Sequence, residues 1–480
     1  MAKKKDKITV RCVGMASSEV TGSGYLVECP TGEKILLDLG LYQDSRKPFE
    51  TYKINKRKFD FKPSEVTAVI ISHINCDHYC MLPKFVHDGG NCNFYISNET
   101  LDFVKPMLED SAKILERESI SLSRRLKRDY DPVYTLDDVV NTLPLFRGCT
   151  TGEDHYITEN VWFRFIPAGH IFGSCQIKLY VKLPSGTIRC IGYSGDLGNT
   201  LFEQPFVETY EPMIKCNMYI GETTYNDPKR SCKKGQREKD LEMMENVIRQ
   251  TCIDRKGIVL IPTFALQRTE TMLYMLWRMF KDDKDFNIPV VVDSPLAVAL
   301  LDCFQKNLTG EWLEIFNQMM SWKNLKIIRE VEESMACVED SSPKIICSSS
   351  GMLTQGRSIL YLKKILPRSN CSILTVGYMA EGGIGWKIKN CPSQKTITID
   401  SKAYVNRCDI KCLDSFSSHM QYEELMNLYV NLANNGCEII WLVHGDKGKI
   451  QFKEELENRI RKILKTTKVV ATNRDTVARI

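Results

Sequence analysis

The hydrophobic and polar positions change rhythm along the chain. The first third reads as short β-rich runs, ITVRCVGM (8–15), GYLVEC (24–29), EKILLD (33–38) and TAVIIS (67–72), bounded by Gly, Pro, Thr or charged residues and each stopping at a polar loop. Residues 101–128 and 136–145 read as helices, with Leu115, Leu122 and Leu126 spaced to lie on one side. Strands resume at WFRFIPAG (162–169), QIKLYVKL (176–183) and TIRCIGYS (187–194), the last two separated by the turn PSGT. In QIKLYVKL apolar and polar residues alternate, which predicts a sheet packed on one face.

From about residue 217 strands alternate with helices. NMYIGE, a polar helix over 235–254, GIVLIPTF, a helix over 267–281, IPVVVDS, a helix over 295–306 and KIICSSS predict a parallel sheet flanked by helices. The chain then returns to ILTVGY, TITID, CEIIWLVHG and a terminal helix over 450–465, and only the first six and last six residues look unstructured. A chain of 480 residues exceeds one ordinary core, so two domains, or one large domain with an insertion, are expected.

Composition narrows the class. Hydrophobic residues make up 43% and charged residues 26%, a globular balance. A net charge of +5 falls far short of binding nucleic acid by charge alone, although Lys56-Arg57-Lys58, Arg124-Arg125 with Lys127-Arg128, and Lys229-Arg230 with Lys233-Lys234 form basic clusters. Nineteen cysteines without a C-x-x-C pair, and a basic N-terminus without an apolar core, fit a reducing cytoplasm. No apolar run is long enough to span a membrane.

The chemistry concentrates in ISHINCDHYC, where His73, Asp77 and His78 follow the strand end Val69-Ile70-Ile71 directly. Ligands on a loop anchored by a strand can converge on zinc through imidazole nitrogens and carboxylate oxygens. His170 in IPAGHIFGS, Asp196 in GYSGDLGN and His419 in DSFSSH are further metal-capable residues at strand ends beside Gly or Ser. Each alone reads as a hydrogen-bonded loop residue; together they fit a dinuclear site better.

At this point the chain resembles the metallo-β-lactamase superfamily and its β-CASP branch of RNA-processing nucleases, related to the cleavage and polyadenylation endonuclease subunit. GMASSEVTGSGYLVE, ILLDLGLYQ, SHINCDHYCMLP, AGHIFGS, YSGDLGN, GETTYND, IPTFALQRTE, VVVDSPLA, SSSGMLTQGR, GYMAEGGIG, DSFSSH and LVHGD match its motifs in order. The resemblance implies an α/β fold, a metallo-β-lactamase αββα sandwich with an inserted β-CASP α/β domain. Its first part would cover residues 1–210, the β-CASP domain 211–390 and the C-terminal part 391–480.

It also implies one or two zinc ions. His73, Asn75, His170 and Asp196 would hold the first, and Asp77, His78, Asp196 and His419 the second, with Asp38 and His444 as structural support. Asp77, Glu222 and Lys387 are candidate catalytic residues, and Ser348, Ser349, Ser350, Gly351, Arg268, Ser417 and Ser418 candidate phosphate or RNA contacts. Single-stranded RNA in a cleft between the two domains would be the substrate, hydrolysed by metal-activated water. The resemblance is compatible with a homodimer or a partner subunit.

Two departures qualify this. Asn75 stands where the family has a zinc-binding histidine, which should loosen the first metal site. No histidine lies between His170 and His419 to serve as the family's general acid; Tyr361 or Lys387 would substitute only with a lowered pKa. The alternative to a nuclease is therefore a degenerate member that binds RNA or an active partner without cleaving.

Overall fold

The computed structural model describes residues 7–16, 19–44, 46–377, 379 and 381–480. Two compact units divide the chain: Met1–Thr200, Val207–Ser231 and Ser418–Ile480 form the first, and Leu201–Phe206 with Cys232–Ser417 the second. These divisions lie at 231/232 and 417/418, where the sequence reading put 210/211 and 390/391.

The first unit is a mixed α/β sandwich of two seven-stranded sheets. One runs in the order Val477–Arg479, Thr9–Cys12, Tyr25–Glu28, Lys34–Leu37, Ala68–Ile70, Asn93–Ser97, Phe146–Cys149. The other runs Lys468–Ala471, Ile439–Val443, Met218–Glu222, Ile188–Tyr193, Cys175–Lys182, Val161–Pro167, Asp154–Tyr156. Val10, Tyr25, Val27, Ile35, Leu37 and Ile70 of the first sheet pack against Phe163, Phe165, Ile177, Leu179, Ile191 and Trp441 of the second. The alternation read in QIKLYVKL is explained: Ile177, Leu179 and Val181 enter this core, while Lys178, Tyr180 and Lys182 lie on the opposite face.

Helices Tyr422–Asn434 and Lys449–Lys462 cover the outer face of the second sheet through Leu425, Tyr429, Phe452 and Leu456. Tyr422–Asn434 opens with a capping box between Gln421 and Glu424. Leu101–Leu126 forms the long helix expected, with Leu115 and Leu122 buried, but Leu126 in its last turn is 39% exposed because the helix ends at a left-handed Lys127. The last residues are ordered: Val477–Arg479 pairs with Thr9–Arg11 and buries Ala478. The first six residues lie outside those described.

The second unit carries an all-parallel six-stranded sheet, ordered Leu325–Ile327, Val290–Val292, Lys344–Ser348, Ile258–Pro262, Ser372–Thr375, Asp409–Cys412. Its central strands are buried throughout, as runs such as IVLIP and KIICS require when helices cover both faces. The strands Thr396–Ile399 and Lys402–Val405 pair with each other in the same unit. Among the described residues no helix is long and apolar enough to cross a membrane.

Candidate metal centre

Seven segments of the first unit end at one edge of the sandwich. Asp38 follows Lys34–Leu37, the 73–78 loop follows Ala68–Ile70, His170 lies between Val161–Pro167 and Cys175–Lys182, and Asp196 follows Ile188–Tyr193. Glu222 ends its strand, His444 follows Ile439–Val443, and His419 precedes Tyr422–Asn434. The strands fix the loop roots, so residues far apart in sequence meet. Gly40 permits part of this: a Cβ there would lie 1.6 Å from the Asp77 carbonyl oxygen, and its neighbours Leu39 and Leu41 donate backbone hydrogen bonds to His78 and Cys76.

The ligand-type side chains form three overlapping groups: His73, His170 and Asp196; Asp77, His78 and His444; Asp196, Glu222 and His419. In the first, the Nε2 atoms of His73 and His170 each lie 3.6 Å from Asp196 Oδ2. Asn75 faces it as well, its amide 3.4 Å from His170 Nε2 and unused as a helix cap. In the second, His444 Nε2 lies 3.4 Å from Asp77 Oδ2 and 3.4 Å from His78 Nε2. Asp196 Oδ1 joins it, 3.3 Å from His78 Nε2 and 3.5 Å from His444 Nδ1.

Two histidines have different neighbours from those the sequence suggested. His444, assigned to structural support, sits against Asp77 and His78, while His419, assigned to that group, holds its Nδ1 3.2 Å from Glu222 Oε1. The reason is topological. His444 ends a strand that pairs in parallel with Met218–Glu222 at the centre of the sheet, whereas His419 reaches the site from a bridge to Gly198.

Supporting residues fix the rings. Asp38, fully buried, accepts from Ser72 N (2.7 Å), Ser72 Oγ (2.6 Å), Tyr193 Oη (2.7 Å) and His78 Nδ1 (2.7 Å). The bond to Nδ1 aims Nε2 of His78 at His444 and Asp196. Thr224 Oγ1 lies 3.1 Å from His444 Nδ1, and Ser418 Oγ 3.3 Å from His170 Nδ1. Glu222 accepts from the backbone N–H groups of Leu197 (2.7 Å) and Thr224 (3.1 Å). Sequence reading missed Ser72, Tyr193 and Thr224; their signal is adjacency to metal-type residues in SH, YSGD and GETT.

Burial and mutual charge split the histidines. Burial, helped by His78, holds His73 well below the ordinary imidazole range, and burial with His419 pushes His170 down to about 3. Burial also opposes charge on His78 and His419, but Asp196 and Asp77 for the first, and Glu222 for the second, outweigh it and raise both. Asp196 is held well below the usual carboxylate range, its burial cost outweighed by His444 and His78.

The cluster fits a cation. His73 Nε2 and Asp196 Oδ1 are buried without a hydrogen-bond partner, and two imidazole nitrogens face each other at 3.4 Å. Buried polar atoms are ordinarily paired, and lone pairs converging this way are those a metal ion satisfies.

The remaining sequence candidates lie in the second unit. Tyr361 donates to Asp293 Oδ2 (2.6 Å), and burial together with that bond raises its pKa, the opposite of the shift a proton donor needs. Lys387 is exposed on the short helix Ile384–Lys389. Ser348 Oγ donates to Asp293 O (2.7 Å), Ser349 Oγ meets Ser294 Oγ (2.9 Å), and Ser350 N donates to Gln355 O (3.1 Å). These groups are thus engaged with the Asp293–Ser294 turn and with their own loop. At Gly351 a Cβ would come within 2.8 Å of Phe264 N. Arg268 opens helix Arg268–Phe280, and Ser417 ends the unit.

Comparison with known proteins agrees with this geometry. Residues 18–156 match the model of the metallo-beta-lactamase superfamily, 269–388 that of the Beta-Casp domain, and 405–468 that of the Zn-dependent metallo-hydrolase RNA specificity domain. The chain is 28% identical over 449 residues to Ribonuclease TTHA0252 of Thermus thermophilus, covering 91% of this chain and 93% of that protein. It is 26% identical to transcription termination factor FttA of Methanocaldococcus jannaschii (87% of this chain, 64% of that protein). Against an RNase J-like protein of the same organism identity is 25%, over 86% and 87% of the two chains. The chain belongs to the metallo-β-lactamase superfamily, with Beta-Casp and RNA specificity domains.

Proposed function

We propose that this protein is a metal-dependent phosphodiesterase that hydrolyses single-stranded RNA, with His419 as the proton donor to the leaving oxygen. The observation that carries the reading is the pairing of His419 with Glu222 beside a cluster that keeps unpartnered His73 Nε2 and Asp196 Oδ1.

On one side His73, His170, Asp196 and the Asn75 amide would hold a cation; on the other Asp77, His78 and His444 would do so, with Asp196 shared. A zinc-type ion bound there supplies Lewis-acid chemistry, lowering the pKa of a water and offsetting charge on the phosphate. The chain's own residues do the rest. Asp38 orients His78 through Nδ1. Glu222, fixed by two backbone N–H groups, binds His419 Nδ1 and favours its protonated form, leaving Nε2 as the atom that gives up a proton. Burial of Asp196 and the histidines keeps competing solvent from these groups.

A general acid is thus available where sequence reading found none, which favours a cleaving enzyme over a degenerate RNA binder. Asn75 weakens one side without emptying it, since an amide oxygen is a poorer zinc donor than an imidazole nitrogen. Metal-loaded protein should cut a labelled single-stranded RNA, and Asp77→Ala should abolish the cutting. Metal-free protein that binds RNA and never cuts it after zinc or manganese is supplied would establish the degenerate reading instead.

A further inference from the structure

Three rings stand in a row on the solvent face of the second sheet in the first unit. Trp162 and Tyr180, directly opposite in register, stack with centroids 5.2 Å apart and planes 9° apart. Tyr156, opposite Trp162 on the neighbouring strand, continues the row at 5.6 Å and 23°. Asp154–Tyr156 is the outermost strand, so no strand lies beside the ring face that Tyr156 turns away from Trp162, and Tyr156 is 66% exposed.

Cations border the row. Lys178 Nζ lies 5.6 Å from the Tyr180 centroid, and Lys182 is exposed two residues along the same strand. Neither forms an ion pair among the described residues. Arg164, opposite Lys178, is held by Asp154. Exposed large apolar side chains ordinarily occur singly on a surface. Here an open aromatic stack adjoins two unpaired lysines.

We propose that the open face of Tyr156, backed by Trp162 and Tyr180, is a stacking platform for an unpaired base of single-stranded RNA, with Lys178 and Lys182 beside the backbone phosphates. The proposal rests on the RNA-hydrolase reading and adds a binding site outside the metal centre. A base stacks on any aromatic face regardless of its identity, and cations beside the rings match a phosphate chain in charge. The strand bearing Trp162 runs on to Pro167, three residues before His170, so bound RNA would be led along it toward the site. The competing account is a cross-strand ladder that only steadies the sheet.

The two accounts separate in a binding measurement on the full chain in the Asp77→Ala background, using labelled oligoadenylate and an abasic oligomer of equal length. Tyr156→Leu should weaken oligoadenylate binding by about fivefold or more, the lower end of base–aromatic stacking. Tyr156→Phe, which keeps the ring, should bind within about twofold of the parent, and the abasic oligomer should respond to none of these changes. Tyr156 is exposed at a sheet edge, so Tyr156→Leu should leave the melting temperature unchanged. Unchanged oligoadenylate affinity in Tyr156→Leu, with the parent binding, overturns the platform and leaves the nuclease reading standing. A parent chain that binds no RNA overturns both.

Discussion

Two buried polar clusters sit at strand ends in this molecule, one in each unit, and they differ in whether they are closed. Asp293 follows Val290–Val292 in the second unit. Its Oδ1 binds the Arg357 guanidinium, and its Oδ2 accepts from Ser334 Oγ (2.7 Å) and Tyr361 Oη (2.6 Å). None of these carboxylate, hydroxyl or guanidinium atoms is left unpaired. The cluster in the first unit is tied down at its rear by Asp38, Thr224, Ser418 and Glu222 but leaves His73 Nε2 and Asp196 Oδ1 without a hydrogen bond at its centre. A closed network supports the fold; an open one, assembled at the cost of desolvating its ligands, is built for something that arrives later.

Unpaired atoms alone do not make a metal site, and Glu270 shows why. Both of its carboxylate oxygens are buried without partners, yet no second ligand accompanies it among the described residues, and burial pushes its pKa up to about 8. It meets the cost by keeping its proton. Asp196, surrounded by imidazoles, instead stays ionised.

The largest effect expected from this contrast is on stability. Arg357→Met should destabilise the protein by about 3 kcal/mol by leaving the Asp293 carboxylate buried and unpaired, read as a fall in the denaturation midpoint, while zinc content is unchanged. In metal-free protein His73→Gln should cost less than about 1 kcal/mol, since its Nε2 has no hydrogen bond to lose, yet should remove zinc. Equal costs for the two would erase the distinction between closed and open.

Next comes Asn75→His, which should raise the affinity of the His73–His170 side by at least the roughly 10- to 100-fold that supporting residues are worth, seen as added zinc stoichiometry in metal analysis. No change would mean that position 75 does not reach the ion.

A pH slope sharpens the contrast further. The folded chain keeps the Glu270 proton up to about pH 8, whereas an unfolded carboxyl loses it near its ordinary value of 4.5. Between these limits the native state binds more protons, so stability falls as pH rises, by up to about 1.4 kcal/mol per pH unit from this group. Glu270→Gln should flatten that fall in denaturant titrations between pH 5 and 8. An unaltered slope would mean that Glu270 is ionised and paired.

Much of this was legible in the sequence. Alternation in QIKLYVKL and the unbroken apolar runs IVLIP and KIICS follow from one-sided and two-sided burial, and the structure has both. The loop His73–His78 announced itself because its ligands are close in sequence. The roles of His419 and His444 were not legible: each is a single histidine beside small residues, and only the pairing of Ile439–Val443 with Met218–Glu222 decides which reaches Asp77. Helix Tyr422–Asn434 also escaped, although QYEEL carries the spacing of a capping box.

The division of labour between those two histidines is the central claim, and paired metal and cleavage analysis of His419→Ala and His444→Ala tests it most directly. His419→Ala should keep the zinc of the parent and lose cleavage by about 10²- to 10⁴-fold, the usual worth of a general acid, whereas His444→Ala should lose zinc and cleavage together. A His419→Ala protein depleted of zinc, beside a His444→Ala protein that keeps its metal and still cuts RNA, would contradict the account.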